Sequence, residues 1–431
     1  MMSEIVLIDP PGSWRIEKKV MAPSLGLGYL ASALEQADFK VKIVDMFAEL
    51  MGVYELAGFI EMKRPYIVGI TSNLRTCNNA ILMAKTIKEI DPDIKIIMGG
   101  PHASFFPENL LNSGFVDVVC MFEGEITICE LMRHYLEGAP SLESIKGIAY
   151  KRDDVPVVNP RREFIKDLDS IPFPARHLFS LDRYWGKGSL ITARGCPFSC
   201  IFCSARAMNG GTCRLRSPDN VLEEMEEMHR RYKIEEFAIV DDTFTVSNDH
   251  AFGICDLLLE RLDVTWSCDS RVDAVTEELI KRMYNSGCRT IHFGIESGNN
   301  NVLKKIRKNI DKNVAKKAVK LANRTGLQVI CDFIIGHPFD TRETVADTLN
   351  FARELKSIEK NGGPEVIIHF SILAVAPGSY IYEHADELGV NVISPDMGHH
   401  ASEEILVGTR HLTREDLKNF YLEGVKVSQG M

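Results

Sequence analysis

No stretch of this 431-residue chain holds the ~18 consecutive apolar residues of a membrane span. Its opening, MMSEIVLIDPP, lacks a basic segment running into a long apolar one, so no export signal is read there and the expected location is the cytoplasm. Positive charge is in deficit: 50 Lys and Arg against 60 Asp and Glu give a net charge of -10, which speaks against a broad nucleic-acid-binding surface. The cysteine pattern of a secreted disulfide framework is missing too. Of eleven cysteines, three cluster and eight, such as Cys77 and Cys331, are scattered in the manner of small core residues. There is no repeat of solenoid period and no low-complexity tract. Nor is there a G-x-G-x-x-G after a strand or a G-x-x-x-x-G-K-[ST], which weakens dinucleotide and ATP readings.

What is present is an alternation of strand-like and helix-like segments. EIVLID (4–9), VKIVD (41–45), YIVGIT (66–71), IKIIMGG (94–100) and VDVVCM (116–121) are β-branched runs of buried-strand length, separated by stretches with apolar residues at helical spacing. That order predicts an α/β fold whose N-terminal part, 1–140, is a doubly wound, Rossmann-like parallel sheet. Its ligand is expected at the C-terminal ends of the strands, where the glycine-rich and polar loops DPPGS, SNLRT, GGPH and FEGE fall. Prolines then accumulate over 141–187, which reads as a β-hairpin followed by an extended linker. Six further strand-like runs alternate with helical segments over 188–379. Six units are too few for a closed eight-unit barrel and enough for a partial (β/α)6 barrel, with active residues at the strand C-termini. A short helical segment, 380–431, completes the chain.

The loop after the first of these strands reads TARGCPFSCIFCSARA, with Cys196, Cys200 and Cys203 at spacings of four and three. Thiolates are soft ligands, suited to zinc or to iron-sulfur clusters. A structural zinc site needs a fourth ligand at a fixed spacing, and the nearest candidate, Cys213, stands without a mate, so zinc is the weaker reading. Three cysteines on a [4Fe-4S] cluster leave one iron open for a substrate. The C-x-x-x-C-x-aromatic-C form, with Phe202 before the last cysteine, resembles the signature of the radical S-adenosylmethionine (SAM) superfamily. The preceding domain, with LGLGYLASALE, MGGPHAS and DLDSIPFPAR, resembles that of the cobalamin-dependent class of this superfamily.

The resemblance implies three cofactors: a [4Fe-4S] cluster on Cys196, Cys200 and Cys203, SAM and cobalamin. It places SAM near Phe202, Asp242, Thr243, Ser270, Arg271, Glu296 and Ser297, at successive strand ends, with the backbone of IIGHP (334–338) by the adenine. The alternative for each is a residue that caps a helix or turn, and for Asp241 one that faces water. Cobalamin is placed on Pro11, Gly28, Ser72, Asn73, Leu74, Arg75, Gly99, Gly100, Pro101, His102, Glu123 and Gly124. The chain has no Asp-x-His-x-x-Gly motif, so His102 is expected in a loop and not on cobalt, with Leu74 or Arg75 by the lower face.

The implied activity is methyl transfer from SAM, by way of cobalamin, to an unactivated carbon; oxidation or cyclisation, and a non-catalytic iron-sulfur or corrinoid carrier, are the alternatives. A low-potential donor such as ferredoxin or flavodoxin is the implied partner. The chain's compact size resembles the peptide-methylating members of the class, including those acting on a glutamine α-carbon in methyl-coenzyme M reductase. Tyr380, Tyr382, His399 and His400 are candidate substrate contacts, the two histidines alternatively belonging to a solvated tail.

Overall fold

Residues 4–12, 21–392 and 407–430 are described in the computed structural model of the chain, and they fall into two units that divide between Lys187 and Gly188. In the first, β1 (Glu4–Asp9), β2 (Lys40–Asp45), β3 (Ile67–Thr71), β4 (Lys95–Gly99) and β5 (Val118–Cys120) are parallel. The hairpin β6 (Ile148–Arg152) and β7 (Val155–Val158) continues the same sheet antiparallel, giving the order β2-β1-β3-β4-β5-β6-β7. Successive residues of β1 serve opposite faces, as the pleat requires. Ile5 and Leu7 pack with α1 (Leu25–Gln36), whereas Val6 and Ile8 pack with α2 (Val53–Lys63) and α3 (Cys77–Ile90). The helices α4 (Pro101–Phe105), α5 (Pro107–Asn112) and α6 (Glu125–Glu137) follow β4 and β5.

The strand order turns back at β1, which has β2 on one side and β3 on the other. In open α/β sheets that switch point opens a crevice at the strand C-termini. Gly12, after β1, faces Arg75, after β3, there: a Cβ on Gly12 would lie 3.5 Å from that of Arg75. The linker runs back along α1, where Ala175 N–H donates to the Gly28 carbonyl at 3.0 Å, and it ends with Tyr184 Oη donating to Asp45 at 2.7 Å.

The second unit begins with β8 (Ser189–Leu190) and a small antiparallel ribbon, β9 (Ala193–Arg194) with β10 (Arg214–Leu215). β8 then pairs in parallel with β11 (Glu236–Ile239), followed in chain order by β12 (Thr265–Ser270), β13 (Cys288–Glu296), β14 (Gln328–Ile335) and β15 (Val366–Ile372). This is the open (β/α)6 barrel. Its intervening helices are α7 (Ala205–Asn209), α8 (Pro218–Tyr232), α9 (Asn248–Arg261), α10 (Glu277–Asn285), α11 (Asn300–Lys305), α12 (Lys312–Thr325) and α13 (Arg342–Lys356). The longer ones start at side-chain caps, Ser217, Ser247, Thr276, Asp311 and Thr341, each accepting a first-turn N–H. Phe237, Trp266, Phe293 and Phe333 point from the strands into the core.

After β15 come α14 (Tyr380–Glu383), α15 (Ala385–Leu388), the ribbon β16 (Val390–Val392) and β17 (Val407–Thr409), and α16 (Arg414–Ser428). The C-terminal segment is thus part strand, and α16 packs on β15 closely enough that a Cβ on Gly424 would lie 2.8 Å from the Phe370 ring. His399 and His400 lie outside the described residues. Among the described residues no helix is long and apolar enough to cross a membrane.

Candidate active site

The cysteine loop leaves β9 through Gly195, at φ +95°, where a Cβ would come within 2.3 Å of the Thr212 carbonyl, so only glycine makes this turn. Its backbone is pinned at Ile201, whose N–H donates to Ile306 O at 3.1 Å and whose carbonyl accepts from Ile381 N–H at 3.0 Å. Cys196, Cys200 and Cys203 are free thiols that line one cavity of about 420 Å³ in the second unit. Polar groups approach all three sulfurs: Thr243 Oγ1 lies 3.9 Å from Cys196, Arg271 Nη1 donates toward Cys200 at 4.0 Å, and Ala205 N–H toward Cys203 at 3.4 Å. Burial pushes the Cys200 thiol up, and Lys308 and Arg271 pull it back down. A metal that displaces the proton recovers that cost. Among the described residues no three His, Cys, Asp or Glu side chains close around a single ion.

Strand ends build the remaining wall. Asp241, after β11, is buried and accepts from Thr192 N–H at 2.6 Å, Thr192 Oγ1 at 2.5 Å and Ala193 N–H at 3.1 Å. It does not face water; it holds the strand that delivers the cysteines. Burial raises its carboxyl to about 6 against these hydrogen bonds. Asp242 and Thr243 line the cavity, as do Phe202, Ser270, Arg271 and Glu296.

Three of the residues expected to meet SAM also hold partners within the protein. Ser270 pairs with Thr245 Oγ1 at 2.5 Å. Arg271 grips Asp273 through Nε and Nη2 at 2.9 Å each, donates to Lys308 O at 2.8 Å and stacks on Phe198 at 3.8 Å, so it fixes the cysteine loop from behind. Ser297 is buried against α13, 3.2 Å from Thr348 Oγ1.

Sequence reasoning missed Lys308. Its Nζ donates to Glu296 Oε1 at 2.9 Å, and both side chains are under 10% exposed on the cavity wall. Glu296 takes φ +72° at a bulge in the β13–β14 register, which aims its carboxylate at Lys308. Gly294 leaves the room: a Cβ there would sit 2.6 Å from Glu296 Oε1 and 2.9 Å from Lys308 Nζ. Also missed were Asp269, His292 and Asp332, which with the expected Asp242 form a polar belt across adjacent strands. Asp242, Asp269, His292 and Asp332 line the cavity; His292 lies 3.8 Å from Asp269, and His369 lies 3.4 Å from Asp332. Their alternation along the strands was legible, but strand alternation alone does not say which face is lined. Tyr380 is sandwiched between His384, centroids 4.1 Å apart, and the Arg307 guanidinium at 4.4 Å.

In the first unit the named loops gather at the C-terminal edge of the sheet. Asn73 Oδ1 accepts from Arg75 and Thr76 N–H at 2.8 and 3.1 Å, starting α3, and Pro11 O accepts from Asn79 at 2.6 Å. That leaves Leu74 half-buried and Arg75 exposed on the crevice. His102 is buried, with Nδ1 3.0 Å from Ser72 Oγ, and burial lowers its pKa to about 4, so it is a neutral ring tied into its loop. Several glycines answer to the protein itself. Cβ atoms at Gly28, Gly100 and Gly124 would meet Pro174 at 2.9 Å, Ser72 O at 2.6 Å and Leu30 at 2.9 Å. Gly99 approaches Cys120 O, and Glu123 accepts from Ile165 N–H at 2.8 Å, which ties the linker down. Pro101 opens α4.

Comparison with known proteins matches residues 190–352 to the radical SAM superfamily and residues 17–132 to the B12 binding domain. An uncharacterized methyltransferase of Pyrococcus horikoshii, PH0819, is 36% identical over 390 residues, covering 89% of this chain and 83% of the relative. The cytidylyl-2-hydroxyethylphosphonate methyltransferase of Streptomyces wedmorensis is 29% identical, covering 78% and 73%. An anaerobic magnesium-protoporphyrin IX monomethyl ester cyclase of Rubrivivax gelatinosus is 28% identical, covering 77% and 62%. Among solved structures, the radical SAM methyltransferase TsrM from Kitasatospora setae, with cobalamin and a [4Fe-4S] cluster bound, shares the fold at TM-score 0.80, with 17% identity over 99% of this chain and 89% of that one. OxsB with aqua-cobalamin shares it at TM-score 0.81, with 18% identity over 98% and 66%. With a cysteine-lined barrel and a B12-binding sheet on one chain, and a methyltransferase relative along most of its length, the protein belongs to the cobalamin-dependent radical SAM methyltransferases.

Proposed function

We propose that the chain methylates an unactivated carbon of a polar substrate, the α-carbon of a glutamine in methyl-coenzyme M reductase being the specific candidate. When bound, the cluster supplies the electron that cleaves SAM, and the corrinoid carries the methyl group. The residues present fit both. Cys196, Cys200 and Cys203 would hold three irons from one rim, with Arg271 and the Ala205 N–H donating to sulfur and so favouring the thiolates. Phe202, Asp242, Thr243 and the Glu296–Lys308 pair face the same space and would orient SAM. Pro11, Ser72 to Arg75 and Gly99 to Pro101 border the crevice at the switch point and would hold the corrinoid, with Leu74 and Arg75 toward its lower face and His102 kept back by Ser72.

The observation that carries the substrate class is the belt of Asp242, Asp269, His292 and Asp332 on the cavity wall. A hydrocarbon surface pressed on it would strip these groups of water and return no hydrogen bond. The N–H groups of a peptide backbone or a glutamine amide would pair with them. Electrons would come from a ferredoxin- or flavodoxin-class donor. The test is anaerobic incubation of the reconstituted enzyme with SAM, a low-potential reductant and a peptide spanning that glutamine. Fragmentation is expected to place one added methyl on the glutamine; SAM cleavage without peptide methylation, while a small molecule is methylated instead, would reject it. The cyclase relative favours oxidation as a second reading, which a product lighter by two hydrogens would support.

A further inference from the structure

Behind the cysteine loop lies a side chain that the proposed chemistry does not use. His337, after β14, is 0% exposed, and both its ring nitrogens lack a partner among the described residues. Its backbone is locked. Gly336 and His337 N–H donate to Asp340 Oδ2 at 3.0 and 2.9 Å, and Asp340 N–H donates back to the His337 carbonyl at 2.9 Å. Gly336 itself sits at φ +95° with Leu417 of α16 pressed on it, at 3.0 Å from where a Cβ would stand. Burial, with Lys308 nearby, holds the ring neutral, its pKa lowered to about 3.

A neutral imidazole presents one N–H donor and one acceptor. Burying both unpaired forfeits the hydration of each, a cost that an apolar side chain in the same space would avoid. Phe202 is in contact with it, at 5.4 Å between ring centroids and tilted by 51°. Phe202 lies between Cys200 and Cys203 and lines the cavity, so a change in what the loop holds is felt at His337 through that ring.

We propose that His337 is a positioning residue for the cysteine loop: its ring nitrogens gain a hydrogen-bond partner only when the site is loaded, and this couples loading to the seating of Phe202. The inference rests on the cluster-holding role of the three cysteines. The partner is a polar group that arrives either with the cluster-loaded loop or with SAM.

The test compares wild type with His337→Phe, which keeps a ring against Phe202, and His337→Leu, which does not; both remove the nitrogens. Melting temperatures are measured anaerobically on the full chain in three states: without iron, reconstituted with iron and sulfide, and reconstituted with SAM added. Without iron the variants are expected to melt about 2–4 °C above wild type, because two unpaired polar atoms are gone. Once the partner is present they are expected to melt below it. Reversal on reconstitution assigns the partner to the loaded loop; reversal only after SAM is added assigns it to SAM. A pure packing role would shift all three states in one direction. Variants that melt below wild type without iron, or above it in every state, would overturn the proposal. If wild type takes up no iron, seen as missing cluster absorbance, the cysteine reading fails and takes the inference with it.

Discussion

Asp241 accepts three hydrogen bonds from the two residues that lead into the cysteine loop, and alanine there would leave the Thr192 and Ala193 N–H groups without that acceptor. Asp241→Ala is expected to cost about 2–4 kcal/mol in chemical denaturation and to lower iron uptake per chain, with Asp241→Asn losing less. Asp340 gives a pH signature. Burial raises its carboxyl from 3.8 to about 6 despite the N–H groups of Gly336 and His337 and the Thr344 hydroxyl. A raised folded-state value means that the protonated form favours the fold, a contribution present below the unfolded value and lost as pH rises through about 6. The stability of wild type relative to Asp340→Asn is therefore expected to fall by about 1 kcal/mol between roughly pH 5 and 7.5, measured by urea titration at both ends. A difference that grew with pH would reverse the sign assigned to this group.

At the scale of elements, the bulge at the end of β13 converts a strand terminus into a buried ion pair, and Gly294 makes the space for it. Gly294→Ala is expected to push Glu296 off Lys308, and Lys308→Met to leave the Glu296 carboxylate buried alone, each at about 3–5 kcal/mol by denaturant titration. A loss below ~1 kcal/mol in both would mean that the pair contributes little. This pair also marks where local pattern stops informing. The β-branched runs, the helix caps and the C-x-x-x-C-x-x-C spacing were legible because each is written within a few residues. Lys308 follows α11 in an unremarkable charged run, and only the register of β13 against β14 brings it to the wall. Arg271 was legible as a cation at a strand end, but four of its five donors are spent on neighbouring Asp273, on Lys308 O and on a cysteine sulfur, and only the fold assembles the last two. The ribbon of β16 and β17 and the packing of α16 over β15 were hidden for the same reason, since a short strand is defined by its partner.

At the scale of the molecule, the chain joins a sheet with a crevice at its β1–β3 switch point to an open barrel with three thiols on one rim. The proposed reaction requires both, the barrel to generate a radical from SAM and the sheet to supply the methyl carrier. The most direct measurement is an anaerobic turnover of the chain, reconstituted with iron, sulfide and cobalamin, using SAM labelled with a trideuterated methyl group and the glutamine peptide as acceptor. The expected products are 5′-deoxyadenosine, S-adenosylhomocysteine and a peptide carrying the intact label, with 5′-deoxyadenosine and the labelled peptide both abolished by Cys196→Ala, Cys200→Ala and Cys203→Ala together and the labelled peptide lost when cobalamin is withheld. Label transfer that continues without cobalamin, or SAM cleavage that survives loss of the three cysteines, would contradict the proposed reaction.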